Sequence, residues 1–190
     1  MLGKMQYGFK KRELRGIIME RRIETERLIL RTVTVDDADE IYVWASDPDV
    51  NKYMIYPLHK NIDVTRQWLE SRDIDCDDEF DLGFELKQTG ELIGMGGLYY
   101  HKDIDAWNLG YNLRKDYWGQ GLVPEAMKAI IEYVDREKGI RAVYGEFAKD
   151  NEKSKRVMEK LGMTYWKDSQ YSKLDGSESF DSIKYIKELH

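Results

Sequence analysis

The chain has 190 residues, 42% of them hydrophobic and 35% charged, with a formal net charge of −6. That is enough apolar material for one globular domain with its own core; the apolar runs are too short to span a bilayer, one cysteine excludes an internal disulfide framework and suits a reducing cytoplasm, and three scattered histidines (His59, His101, His190) with that single Cys76 offer no zinc or haem ligand set. Residues 1–22 carry seven basic and two acidic side chains, which leaves the rest of the chain strongly acidic, a balance that repels nucleic acid.

Residues 1–22 read as a basic N-terminal extension ahead of a domain over 23–190. Met19-Glu20-Arg21-Arg22-Ile23 runs straight into the first periodic segment, and Arg15-Gly16 can be encoded as a purine-rich ribosome-binding stretch. Met19 is therefore an alternative start, with residues 1–18 upstream of it. Residues 23–35 alternate as one strand, Leu28, Leu30 and Thr32 against Arg27, Ile29 and Arg31. A helix follows over 36–45, closed before Pro48, then a short turn at 49–53. A second helix, capped by Asn61 or Asp63, runs to Arg72. Residues 73–81 hold six acids in nine positions and read as a solvated loop able to attract a cationic acceptor. Strands over 80–86 and 92–100 flank the turn Gln88-Thr89-Gly90-Glu91, and 107–113 supplies the next. Gly94-Met95-Gly96-Gly97 sits inside a strand pattern with no helix after it, so it is not a dinucleotide loop.

The most informative segment is Tyr117-Trp118-Gly119-Gln120-Gly121-Leu122-Val123-Pro124-Glu125-Ala126. Two glycines one residue apart let backbone N–H groups turn inward and let a ligand approach. They run into a helix whose first turn Pro124 can open, and a helix N-terminus adds orphan donors and partial positive charge. Together these make a phosphate or pyrophosphate site without a basic side chain. The helix over 124–138 buries Ala126, Ala129, Ile130, Tyr133 and Val134 and ends at Gly139. A strand over 141–147 follows. Asn151 then caps a helix carrying Ser154, Val157, Met158 and Leu161 on one side, ended by Gly162. Residues 164–173 and 179–187 close the chain as a hairpin about Asp175-Gly176. The order β-α-α-β-β-β-α-β-α-β-β is a mixed α/β sheet in one domain.

Strand, Gly-x-Gly, helix, strand, Asn-x-x-Ser, helix, Gly: this succession resembles the GCN5-related N-acetyltransferases (GNAT), closest to the branch that acetylates the N-terminal Ser or Ala of ribosomal proteins. The likeness runs from Ile23 to Leu189. It rests also on Thr25-Glu26-Arg27-Leu28-Ile29-Leu30-Arg31, Asp37-Ala38, Leu92-Ile93-Gly94, Asn151-Glu152-Lys153-Ser154 and Glu159-Lys160-Leu161-Gly162, with Asp181 and Tyr185 in the last strand. It implies an α/β (α+β) fold: a mixed, mostly antiparallel twisted sheet of about seven strands, flanked by helices and splayed between the fourth and fifth. It implies acetyl-CoA as co-substrate, no metal, and a primary amine as acceptor, with a ribosomal-protein N-terminus or a polyamine among the candidates. It also implies a cytoplasmic monomer or homodimer.

On that resemblance, backbone N–H groups of Gly119, Gln120, Gly121, Leu122 and Val123, beside Trp118, cradle the pyrophosphate, and Leu113-Arg114 pairs with pantetheine as a pseudo-strand. Val123 stands where Gly or Ala is usual. Pro124 stands where a hydroxyl residue often touches a phosphate, and it supplies neither hydroxyl nor N–H. An amine with a pKa of about 10 must lose a proton before it attacks the thioester. A backbone N–H of 107–113 would steady the oxyanion, and the leaving thiolate takes a proton or a hydrogen bond. The Tyr that many members place seven residues after the Asn of the last helix is Met158 here. Ser154, at i+3 from Asn151, takes over that role, and Asn151 adds a cofactor contact to its capping. Glu85 and Glu146 are the candidate bases, with a water chain to several carboxylates as a third route. Tyr53, Tyr56, Trp68, Tyr99 and Tyr100 are acceptor-pocket or core aromatics. The alternative to an enzyme is a non-catalytic acyl-CoA sensor or interaction domain on the same fold.

Overall fold

A computed structural model describes residues 21–74 and 76–190; the basic extension through residue 20, and with it the Met19 alternative, lies outside them. The segment expected as one strand makes two, β1 (Arg22–Glu24) and β2 (Leu28–Arg31), antiparallel with Ile23 opposite Leu30. Thr25 causes the reversal: its hydroxyl accepts from the Leu28 N–H at 3.0 Å and its own N–H donates to the Leu28 carbonyl at 2.9 Å. A side-chain turn of this kind leaves the hydrophobic alternation on either side intact, so periodicity does not show it. Past Arg31, the Asp37 carboxylate accepts from the Thr34 N–H at 2.7 Å. That cap starts a 3-10 turn at Val35–Asp37 and then α1 (Ala38–Ala45).

Two further helices complete this side. Asp47 caps α2 (Pro48–Asn51), which has proline in its first turn, and Asn61 rather than Asp63 caps α3 (Ile62–Ser71), accepting from the Val64 N–H at 3.2 Å. β3 (Glu79–Leu86) takes its first residues from the stretch expected as an acidic loop. Asp81 is turned in and held by Arg72 Nη2 at 3.1 Å.

The rest follows as β4 (Leu92–His101), β5 (Ala106–Leu113), α4 (Leu122–Lys138), β6 (Ala142–Ala148), α5 (Glu152–Lys160), β7 (Thr164–Ser172) and β8 (Ser179–Glu188). The described residues form one eight-stranded sheet in the order β1-β2-β3-β4-β5-β6-β8-β7, antiparallel throughout except between β5 and β6. The count exceeds seven because the first segment divides at Thr25.

Each face of the sheet has its own core. α4 lays Ala126, Met127, Ile130 and Val134 against Leu28, Leu30, Phe84, Ile93 and Leu109. On the other face Ile41, Trp44, Ala45 and Leu69 cover Val33, Leu92 and Met95. Burying each such side chain is worth about 1.5–3 kcal/mol. A Cβ on Gly96 would stand 2.9 Å from the Met127 sulfur, so the missing side chain is what lets α4 lie this close to β4.

β5 and β6 pair only at Trp107 with Val143 and Asn108 with Tyr144, then diverge. Met158 of α5 fills the wedge between them: a Cβ on Gly145 would lie 2.5 Å from Met158 Cε and 3.2 Å from Leu109 Cγ. Over the opposite face the tip of the β7–β8 hairpin reaches back to the segment after α2. The Leu174 N–H donates to the Ile55 carbonyl at 2.8 Å, and Lys173 Nζ donates to the Asn51 carbonyl and Oδ1 at 3.2 and 3.1 Å.

Candidate active site

Gly119 and Gly121 have φ of +78° and +77°, a region that costs an L-residue about 1–2 kcal/mol. α4 begins at Leu122 rather than at Pro124: the Glu125 N–H already donates to the Gly121 carbonyl at 3.2 Å. Pro124 therefore occupies a first-turn position whose N–H would have had no intrahelical partner. It removes one potential anion donor and no helical bond. The outer face of the loop is open. A Cβ on Gly119 would meet nothing within 4 Å, and one on Gly121 only Arg27 Nη2 at 3.7 Å, which is the shape a bulky anion needs for close approach to the amides.

The loop is fixed from behind by Glu125. Its Oε1 accepts from the Thr25 hydroxyl at 2.6 Å and the Arg27 N–H at 2.8 Å, and its Oε2 accepts from Arg27 Nε at 2.7 Å. Burial pushes the Glu125 carboxyl up, but these donors more than reverse that and hold it below the usual carboxylate range. Arg27 Nη1 then donates to the Gln120 carbonyl at 2.9 Å, so the turn formed by Thr25 positions the loop. At the other end Trp118 Nε1 donates to the Leu113 carbonyl at 2.8 Å, and Lys153 Nζ sits 3.6 Å above the indole, tying the loop to α5. Arg27 and Lys153 are neighbours of the loop that sequence reasoning missed.

The strand edge beside the loop can be read from one bond. The Arg114 N–H donates to the Ile93 carbonyl at 2.8 Å, so the alternation of an antiparallel ladder turns the backbone groups of Tyr111 and Leu113 toward the gap with β6. Of the expected pair, Leu113 faces the gap, while Arg114 is engaged by β4 and places its guanidinium 3.5 Å from Glu91 and 3.4 Å from Asp116. Asn151 Oδ1 accepts from the Ser154 N–H at 3.2 Å, and the Tyr111 hydroxyl lies 3.4 Å from the Ser154 carbonyl. Asn151, Ser154 and Tyr111 thus converge where β5 leaves β6. Burial pushes the Tyr111 hydroxyl up, so it stays a proton donor. The sequence signal for Tyr111 was its place two residues before Leu113 on one strand.

The two candidate bases are placed differently. Glu146, on β6 at the gap, accepts from the Ser182 hydroxyl at 2.5 Å and pairs with Lys184 Nζ at 3.3 Å. Burial, reinforced by the Glu146 charge, pushes Tyr144 and Tyr171 up to about 12. Glu85 lies on β3, two strands from the gap, and is bound by Arg31 Nε at 2.6 Å. The same guanidinium grips Asp37 through Nη1 at 3.0 Å and Nη2 at 2.7 Å. Glu146 thus stands on a strand that borders the gap, with its carboxylate held by β8, and Glu85 stands two strands away.

The aromatics divide similarly. Tyr56 hydroxyl accepts from Asn112 Nδ2 at 3.2 Å, and Tyr99 shares its sheet face with Asn108, its partner across the ladder. Tyr53 meets Phe180 of the hairpin edge-on, Trp68 joins the α1 layer, and Tyr100 packs on Trp107 in the other core. Burial pushes the Asp81 carboxyl up against the opposing pull of Arg72. Among the described residues no group of three or more His, Cys, Asp or Glu is arranged to hold a metal ion, and no helix is long and apolar enough to cross a membrane.

The comparisons with known proteins agree with this geometry. Residues 27–164 match the acetyltransferase (GNAT) domain family. An uncharacterized N-acetyltransferase, p20, of Bacillus licheniformis is 28% identical over 143 residues, spanning 72% of this chain and 79% of that protein. The crystal structure of a GNAT-family acetyltransferase from Bacillus anthracis superposes with a TM-score of 0.77 at 22% identity, covering 88% of this chain and 98% of that one. RimL, a ribosomal L7/L12 alpha-N-protein acetyltransferase in complex with coenzyme A, superposes with a TM-score of 0.75 at 17% identity, over 89% and 98% of the two chains. With a glycine loop at a helix N-terminus, a sheet parted beside it and the family's domain matched over most of its length, the chain belongs to the GNAT acetyltransferases, acyltransferases that use acetyl-CoA to acetylate amines.

Proposed function

We propose that this chain moves the acetyl group of acetyl-CoA to a primary amine by direct attack in a ternary complex. One junction carries the reading: the 17-residue helix α4 opens at Gly121 beside the gap where β5 parts from β6 after two residue pairs. Amides of Gly119, Gln120, Gly121, Leu122 and Val123 then hold the pyrophosphate, and Trp118 braces them. The backbone of Tyr111 and Leu113 lines up the pantetheine arm, and Asn151 adds a contact from α5. Acetyl-CoA supplies the activated acyl carbon. The Ser154 hydroxyl donates toward the departing sulfur, where a hydrogen bond to developing charge is strongest, and the Tyr111 hydroxyl, donating to the Ser154 carbonyl, steadies that turn of α5. Glu146 takes the proton from the incoming ammonium, directly or through water.

The acceptor is a protein N-terminus, as the likeness to RimL supports, or a small amine. The test is release of free CoA across a panel of amines and N-terminal peptides, with saturable turnover on at least one expected. Tight acetyl-CoA binding by calorimetry with no turnover on any amine would make the chain an acyl-CoA sensor instead.

A further inference from the structure

Lys153 stands on the first turn of α5, one residue before Ser154, and its Nζ lies 3.6 Å from the centre of the Trp118 ring. α5 follows β6, and Trp118 follows β5. The side chain therefore reaches across the mouth of the gap to the residue that opens the glycine loop. Among the described residues Lys153 has no carboxylate within ion-pair distance. The other cations around the loop are taken: Arg27 by Glu125 behind it, Arg114 by Glu91 and Asp116, and Lys115 by Asp49 at the start of α2. Lys115 holds the Asp49 carboxyl below its usual range, and Lys153 adds a smaller pull from farther off, so that carboxylate does not neutralise Lys153.

The loop has reason to need this charge. Its amides are neutral donors, and Pro124 removes one of them. The body of the chain is acidic, which repels an anionic ligand from a distance. An indole face attracts an ammonium without cancelling its charge, so Trp118 is a platform that keeps the cation beside the loop and leaves it free to pair. A lysine carries that charge on a flexible stem with three rotatable donors, and its hydrogen bonds to phosphate oxygens are of the strong, charge-assisted kind.

We propose that Lys153 binds the pyrophosphate of the acetyl donor, reaching it from the wall of the gap opposite the glycine loop. This rests on the acetyl-CoA reading above. The loop supplies amides from the β5 side and α5 supplies the cation from the β6 side, so the ligand is gripped across the gap.

The test is calorimetric titration of the full chain with CoA and with dephospho-CoA, which keeps the pyrophosphate and lacks the ribose phosphate. Lys153→Met keeps an unbranched chain over the indole and removes the charge. It should raise Kd about tenfold or more for both ligands, the yield of one charge-assisted hydrogen bond, and that factor should shrink as salt is raised. Lys153→Arg should restore most of the affinity. Lys155→Met removes a cation of the same helix that lies beside Glu152 and should leave Kd within about twofold. An unchanged Kd in Lys153→Met, a loss seen with CoA and absent with dephospho-CoA, an equal loss in Lys155→Met, or a loss that salt does not alter overturns the inference and leaves acetyl transfer standing. No binding of either ligand by the unaltered chain overturns both.

Discussion

The Tyr171 hydroxyl donates to the Tyr53 carbonyl at 2.8 Å, joining the closing hairpin to a loop 118 residues earlier in the chain. With Leu174 and Lys173 it draws the hairpin over the sheet face that carries Asn108 and Asn112. Burial keeps this phenol protonated up to about 12, so it is a dependable donor. Tyr171→Phe keeps the ring against Phe180, 5.1 Å away, and loses only the bond, at a cost of about 0.5–1.5 kcal/mol. Steady-state kinetics should show KM for the acceptor rising severalfold while KM for acetyl-CoA stays put. Equal rises in both would mean the hairpin supports the whole fold rather than the acceptor side.

Glu125 couples the glycine loop to pH. Its folded pKa is depressed, so its stabilisation is complete above the unfolded carboxylate value, about 4.3, and is lost as pH falls through the folded pKa. Glu125→Gln removes an ionised acceptor from three donors and should cost about 1–3 kcal/mol at neutral pH. Thermal melts should fall less steeply with acid in this variant than in the unaltered chain, and KM for acetyl-CoA should rise. Parallel acid slopes would show that Glu125 is not linked to folding.

Ser154→Ala should lower kcat by about tenfold or more, the value of a hydrogen bond to a charged leaving group, with a smaller change in KM for acetyl-CoA. An unaltered kcat removes Ser154 from the chemistry. Asn151→Ala should behave differently, because a lost N-cap costs about 1 kcal/mol of stability whatever the cofactor does. Its Tm should drop even without acetyl-CoA.

Glu146→Gln and Glu85→Gln separate the two carboxylates that sequence reasoning left level. The first should lower kcat and flatten the acid limb of the pH–rate profile. The second breaks the grip of Arg31, whose side chain is 19% exposed, and should lower Tm by several degrees, for roughly 1–3 kcal/mol, leaving the shape of the pH profile alone. A flattened profile in Glu85→Gln instead would reverse the assignment.

What was legible in the sequence was local. Gly119, Gly121, Gly139 and Gly162 mark their own backbone conformations, and all four have positive φ. The Asn151 cap and the apolar stripe of α4 announce themselves within one or two turns. What was not legible depended on partners distant in the chain. Asp81 reads as one more acid in a solvated run until Arg72 is seen to hold it. Residues 23–35 read as one strand because Thr25 breaks the chain's direction and not its alternation. Glu85 reads as a free carboxylate until Arg31, which also holds Asp37, is seen to bind it, and Tyr111 gains interest only once Arg114 reveals which way the strand edge points. A residue type at a spacing gives chemistry; the side of a strand gives address, and address comes from pairing.

Among the described residues, Trp107–Val143 and Asn108–Tyr144 are the only rungs between β5 and β6. To either side lie well-laddered plates, five strands and three, so the seam is where the sheet is least stitched. Past Asn108 the β5 groups that face β6 have no ladder partner there among the described residues. On the proposed placement, a co-substrate with amide groups of its own, laid along Tyr111 and Leu113, would become a rung in that ladder. Each turnover would then take out and replace a structural member of the sheet.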